Sequence, residues 1–136
     1  MALNVLVVDD SAVMRKMIIR TLKLSGLPIG EIYEASNGKE GLAVLDEKWI
    51  DLALVDINMP VMNGEEMIDR MQSSPELADV AVIVVSTESS ESRIEMLMRK
   101  GVEFVHKPFT PEDLRDAVVK MLGEFHDEGE PEFETF

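Results

Sequence analysis

The chain has no cysteine among its 136 residues, so neither a disulfide framework nor a thiolate metal site is open to it. It has no apolar run near the roughly 20 residues that a membrane-spanning helix needs. Its N-terminus lacks the basic region and long apolar core of a secretory signal. Basic charge is scarce too: 13 Lys and Arg stand against 27 Asp and Glu, a net charge of −14. Such an excess argues against non-specific binding to nucleic acid, whose phosphates repel it. No internal repeat is visible. The expectation is one cytoplasmic domain, residues 1–123, long enough to bury a sizeable core. Residues 124–136 hold six acids and no Lys or Arg, leaving −8 of the −14 for the first 123 residues. That segment reads as an acidic, disordered tail.

What is present centres on Leu52-Ala-Leu-Val-Asp-Ile-Asn-Met-Pro60. Leu52 to Val55 is a short, continuous apolar run, which suits a strand buried on both faces of a parallel sheet. It breaks at Asp56, and Asn58, Pro60, Asn63 and Gly64 then signal a turn. A carboxylate at that point sits at the carboxyl end of its strand, where open α/β sheets place their ligands. Val5-Leu-Val-Val8 is a second such run and also ends in acid, at Asp9 and Asp10. If both strands are central and parallel, three carboxylates converge. Two like charges about 4 Å apart repel by roughly 4 kcal/mol at an effective dielectric near 20. Such a cluster must take up a proton or a cation. Oxygen-only donors favour a hard ion, with Mg²⁺ the expected one.

The rest of the chain alternates strand and helix. Ser11 caps a helix that keeps its apolar period through Val13, Met14, Met17, Ile18, Thr21 and Leu22 up to Gly26, its methionines read as core filling. Ile32-Tyr33 reads as a short second strand. Asn37-Gly-Lys-Glu40 and Asn63-Gly-Glu-Glu66 have capping-box spacing and open two further helices, the second with Met67, Ile68 and Met71 on one face. Val80 to Val85 is a long buried strand ending in Ser86-Thr87-Glu88. A helix with Ile94, Leu97 and Met98 inward runs to Gly101, and Val102 to Val105 makes an edge strand. Thr110-Pro-Glu-Asp113 caps the last helix, with Leu114, Ala117, Val118, Met121 and Leu122 facing the core. Trp49 is expected in core or rim packing. Five βα units with right-handed crossovers give an α/β, three-layer, doubly wound (βα)5 sheet.

Asp9-Asp10, Asp56 with Met59-Pro60 and Gly64, Ser86, and Lys107-Pro108-Phe109 together resemble the receiver domain of bacterial two-component response regulators, close to stand-alone CheY-like chemotaxis regulators. The resemblance spans about residues 3–123. It implies a flavodoxin-like fold with a parallel five-stranded sheet in the order 2-1-3-4-5. It makes Asp56 the phosphoacceptor for a histidine kinase, with Asp9, Asp10, Asp56 and the Asn58 main-chain carbonyl holding Mg²⁺. Lys107 would pair with the phosphoryl group, and its peptide bond to Pro108 is often cis in the family. Ser86 and Phe104 match the hydroxyl and aromatic switch positions, while Thr87 stands where a smaller residue is usual. Asn58 and Glu88 lie where side chains flank the water that removes the phosphoryl group. On residue type alone Phe104 reads as plain packing, and neither His106 nor His126 has an argued role.

The chemistry agrees with those roles. A carboxylate is a poor nucleophile toward an anionic phosphoryl donor unless a metal offsets the charge and aligns the groups. Lys107 adds a compact cation. A haloacid-dehalogenase-like phosphatase would want a second Asp two residues past the nucleophile, where Asn58 stands. A flavodoxin-like carrier would want hydroxyls after the first strand, where Asp9-Asp10 would repel a phosphate. A phosphorylation-independent module would tolerate loss of the acids or Lys107, and none is lost. The expectation is therefore a monomeric signalling phosphoacceptor that is not otherwise an enzyme, with no attached effector and a protein target on the 91–122 face. Chemotaxis, a phosphorelay and kinase regulation stay open.

Overall fold

The computed structural model describes residues 2–123. The expected acidic tail, 124–136, and its His126 lie outside the described residues.

The elements run β1 (Leu3–Val8), α1 (Ala12–Leu24), β2 (Ile29–Ala35), α2 (Gly38–Glu47), β3 (Leu52–Val55), α3 (Gly64–Gln72), β4 (Ala81–Ser86), α4 (Glu91–Arg99), β5 (Glu103–His106) and α5 (Pro111–Leu122). All five strands are parallel, in the order β2-β1-β3-β4-β5. The three central strands are the apolar runs, because only they are covered on both faces. Alternation along them feeds two cores. Val5, Val7, Leu52, Leu54, Ile83 and Val85 face α1 and α5, meeting Ile18, Leu22, Leu114 and Val118. Leu6, Val8, Ala53, Val55, Val82 and Val84 face α2, α3 and α4, meeting Leu45, Met67, Ile68, Met71 and Leu97. A register slip of one residue in any central strand would exchange the two sets.

The helices start where side chains replace missing main-chain acceptors. Ser11, Asn37, Asn63, Ser90 and Thr110 each accept from the main-chain N–H three residues on. Asn63-Glu66 and Thr110-Asp113 close reciprocal capping boxes. At Asn37 the expected box does not form. Glu40 reaches instead to the main-chain N–H and the hydroxyl of Ser36, at 2.9 and 2.7 Å. Those two bonds hold its carboxyl below the ordinary range.

Other expectations need correction. β2 is seven residues long rather than a short strand at 32–33, and β5 starts one residue later than expected. Met17 is 52% exposed and Val13 71%, so they do not fill the core. At about 100° per residue, α1 turns a narrow stripe inward, centred on Ile18 and Leu22, with Met14 at its edge. Met98 beside Leu97 and Leu122 beyond Val118 face outward for the same reason. Trp49 is 79% exposed, standing on the turn before β3 with its indole N–H donated to Asp51.

Candidate functional site

The strand order reverses direction between β1 and β3: from β1 the chain steps outward to β2, then returns to the other side for β3. Val8 and Val55 are register partners at the carboxyl ends of these strands. The next residues, Asp9-Asp10 and Asp56, therefore emerge side by side over the crevice at this switch point. One carboxylate oxygen from each of Asp9, Asp10 and Asp56 lies within 4.8 Å of the others. Asp9 is buried, Asp56 half-buried and Asp10 exposed, so the cluster is open to solvent on one side.

Asp9 is fixed on all sides. Its Oδ1 accepts the Ser11 main-chain N–H at 2.9 Å and its Oδ2 accepts the Lys107 ammonium at 2.9 Å. Arg15 of α1 donates to the Asp9 main-chain oxygen at 2.6 Å while its Nε pairs with Glu34 of β2 at 2.8 Å. Asp56 Oδ1 accepts the N–H of the next residue, Ile57, at 2.8 Å, and its Oδ2 lies 3.5 Å from Lys107. Burial raises the Asp56 carboxyl above its ordinary range, Lys107 opposes this, and the Asp9 charge adds to it. One Lys against three carboxylates leaves net negative charge in a cleft of oxygen donors. That donor set fits a hard divalent cation such as Mg²⁺.

The loop after β3 is held close to the cluster. Gly64 donates to Ile57 O at 2.8 Å, and a Cβ at this position would overlap the Asp56 main-chain oxygen. Asn58 is exposed, two residues beyond Asp56. Lys107 follows β5, and its N–H donates to Ser86 O at 2.9 Å, tying the last two strands at the site. The Lys107–Pro108 bond is cis, as the resemblance implies.

Ser86 is fully buried at the end of β4, and its Oγ accepts the Glu88 main-chain N–H at 3.1 Å. Thr87 is exposed, so its side chain does not crowd the loop. Phe104 is register partner to Val84, packs half-buried against the α2–α4 core and meets the edge of the His106 ring at 4.8 Å. The Glu88 carboxylate is engaged by the Ser90 N–H at 3.0 Å and lies 3.5 Å from Arg93, which also binds Glu65 of α3 at 2.7 Å.

Arg15, Glu34 and Arg93 were not singled out by sequence. Each depends on a partner 5 to 28 residues away, and a charged residue carries no local sign of such a partner.

Residues 5–119 match the family model of the response regulator receiver domain. The chemotaxis protein CheY homolog of Campylobacter jejuni is 33% identical over 132 residues, 96% of this chain and 100% of that protein. Chemotaxis protein CheY1 of Helicobacter pylori is 33% identical over 123 residues, 89% of this chain and 98% of that one. Among solved structures, chemotaxis response regulator CheY4 of Vibrio cholerae superposes with a TM-score of 0.78 at 30% identity, covering 90% of this chain and 100% of that one. With the 2-1-3-4-5 sheet and the acidic cluster at its switch point, these likenesses mean that the chain belongs to the receiver domain family of CheY-like response regulators.

Proposed function

We propose that this protein accepts a phosphoryl group from a histidine kinase on Asp56 and returns it to water, changing a protein-binding surface in between. The carrying observation is the convergence of Asp9, Asp10 and Asp56 within 4.8 Å, with Lys107 bonded into the cluster. Asp9, Asp10, Asp56 and the Asn58 main-chain carbonyl would hold Mg²⁺, whose charge offsets the repulsion between a carboxylate and an anionic donor.

An Asp56 oxygen attacks phosphorus, the bond from phosphorus to the donor imidazole nitrogen breaks, and the electron pair leaves on that nitrogen. Lys107, within 3.5 Å of Asp56, supplies positive charge to the incoming phosphoryl oxygens. Asp9 is held by Ser11 and Arg15, so this member of the acid pair is oriented in advance. Water later attacks the same phosphorus and frees Asp56, with Asn58 flanking its path. Glu88 is assigned the same part, although its carboxylate already has partners in Ser90 and Arg93.

The Ser86 hydroxyl, accepting from Glu88, has its own hydrogen to donate to a phosphoryl oxygen. Movement of that loop, with Thr87, would change the room available to Phe104, and so the face formed by α4, β5 and α5. We assign residues 1–123 to the receiver, 124–136 to an appended acidic segment, and the protein to the cytoplasm. The names of the Campylobacter and Helicobacter relatives favour chemotaxis as the pathway. Among the described residues no helix is long and apolar enough to cross a membrane.

A phosphohistidine or small acyl-phosphate donor with Mg²⁺ should place a hydroxylamine-sensitive label on Asp56, and a chelator should abolish it. Undiminished labelling of Asp56→Asn would overturn the assignment.

A further inference from the structure

The sheet has a second concave region at its amino edge, opposite the carboxylate cluster. A groove of about 770 Å³ opens there between the end of α2, the turn before β3, the α3–β4 connection and the end of α5. Its floor is apolar, with Leu3 and Ile50 buried and Leu77 and Val80 partly so. Its rim carries Trp49 at 79% exposure and Leu122 at 38%. Here the indole stands beside an apolar floor, and Trp is among the residues that dominate protein contacts. Nor is the indole loose: its N–H donates to Asp51 Oδ1 at 3.2 Å, while Asp51 Oδ2 accepts the Asn4 N–H at 2.9 Å.

Charge selects the occupant. Asp46, Glu47, Glu76 and Asp79 line the groove and are exposed. Among the described residues none of these four is in an ion pair. The one basic residue of the lining, Lys48, has its ammonium 5.7 Å from the centroid of the Tyr33 ring, and Tyr33 is not part of the lining. Nucleic acid and anionic membrane are repelled. A second copy of a chain with net charge −14 brings the same sign, and so does its own 124–136 segment with six acids.

We infer that this groove docks a basic segment of a partner protein, with an apolar side chain seated on the floor and Lys or Arg facing the four acids. Asp51 and Asp56 bracket β3, five residue steps or about 16 Å apart at about 3.3 Å per residue. No groove residue belongs to the carboxylate cluster, the Ser86 loop or Phe104, so docking is independent of phosphorylation. The partner is held in both states, and this inference does not rest on the phosphoacceptor reading.

The test uses the full chain and a synthetic peptide with Lys and Arg around a central Leu-Phe pair. Trp49 is the only tryptophan, so its emission reports the groove directly. Emission should shift to shorter wavelength and saturate at one peptide per chain, with affinity falling about tenfold from low salt to about 0.5 M. Glu76→Lys with Asp79→Lys should weaken binding about tenfold. Trp49→Ala, followed by calorimetry, should weaken it at least as much. Beryllofluoride with Mg²⁺ should leave affinity unchanged. Absence of a saturable response, an equal response to an acidic peptide with the same Leu-Phe pair, or indifference to the charge reversals overturns the proposal. A red shift of Trp49 on deleting 124–136 without peptide would show the chain's own tail in the groove, and also overturns it. A change in affinity with beryllofluoride overturns the independence from phosphorylation.

Discussion

Lys107 donates its ammonium to Asp9 at 2.9 Å across 98 residues of sequence, and reaches Asp56 only at 3.5 Å. The buried acid of the cluster thus has the closer cation. Asp56 keeps the weaker pairing, and burial dominates its titration.

Substituting Asp56→Asn should raise the thermal stability of the metal-free protein at neutral pH. Its folded pKa lies above the ordinary 3.8, mainly through burial and against the pull of Lys107. A carboxyl raised in this way contributes stability in full below its unfolded value, and the contribution is lost as pH rises through the folded value. Asn has no such loss and keeps an oxygen for the Ile57 N–H. The difference in Tm between variant and parent should therefore grow from acid toward neutral pH. A lower Tm for the Asn variant at pH 7 would show that Lys107 outweighs burial.

Mg²⁺ should stabilise the parent protein by about 2.7 kcal/mol at a hundredfold excess over its Kd. The gain should shrink as pH falls, because the donors must be ionised. Asp9→Ala, Asp10→Ala and Asp56→Ala should each reduce it sharply. Calorimetric unfolding with and without Mg²⁺ reads this directly, and an undiminished gain in Asp10→Ala would remove that residue from the metal set.

The acid cluster was legible because two fully apolar runs end abruptly in Asp, and the caps at Ser11, Asn63 and Thr110 because capping is local. Exposure was harder to read. Met17 sits one position from Ile18, and Met98 one from Leu97, a step of about 100° that composition cannot resolve. Glu40 had two acceptable local donors, and only the path of the chain at Ser36 decided between them. The struts Arg15–Glu34 and Arg93–Glu65 join elements that the fold alone brings together.

Arg93→Ala should loosen the connection between β4 and α4. Arg93 bonds Glu65 at 2.7 Å and lies 3.5 Å from Glu88, all three partly exposed, so the global cost should stay near about 1 kcal/mol. The local effect should be larger, because residues 88–94 lose their tie to α3. Hydrogen exchange of those amides should accelerate while β4 stays protected. Unchanged exchange there would reduce Arg93 to a decorative surface ion pair.

Decay of the phosphorylated state should respond unequally to the two flanking positions. Asn58 is exposed beside Asp56, whereas the Glu88 carboxylate is already engaged by Ser90 and Arg93. Asn58→Arg should slow the loss of phosphate about tenfold by blocking the approach of water, and Glu88→Gln should change it less than about threefold. A larger effect at Glu88 would mean that its carboxylate leaves Arg93 when the site is phosphorylated.

Phe104 should carry the signal outward. Its ring is half-buried, wedged between the α2–α4 core and the His106 ring at 4.8 Å, on the edge strand that separates α4 from α5. The main chain of Ser86, two positions beyond the strand partner of Phe104, is tied to Lys107, but among the described residues its hydroxyl has only the Glu88 N–H as a hydrogen-bond partner. A phosphoryl oxygen at Asp56 offers it a charged acceptor, and charge-assisted bonds are the stronger kind. If the loop follows Ser86 inward, Phe104 gains room, and the face of α4, β5 and α5 changes shape. A target that prefers the new shape by about 1.4 kcal/mol binds it about tenfold more tightly. Titrating a cognate target against the parent and Phe104→Ala, each with and without beryllofluoride and Mg²⁺, should show this ratio in the parent and its collapse in the variant. Equal affinities throughout would leave Phe104 as packing and put the output on another face.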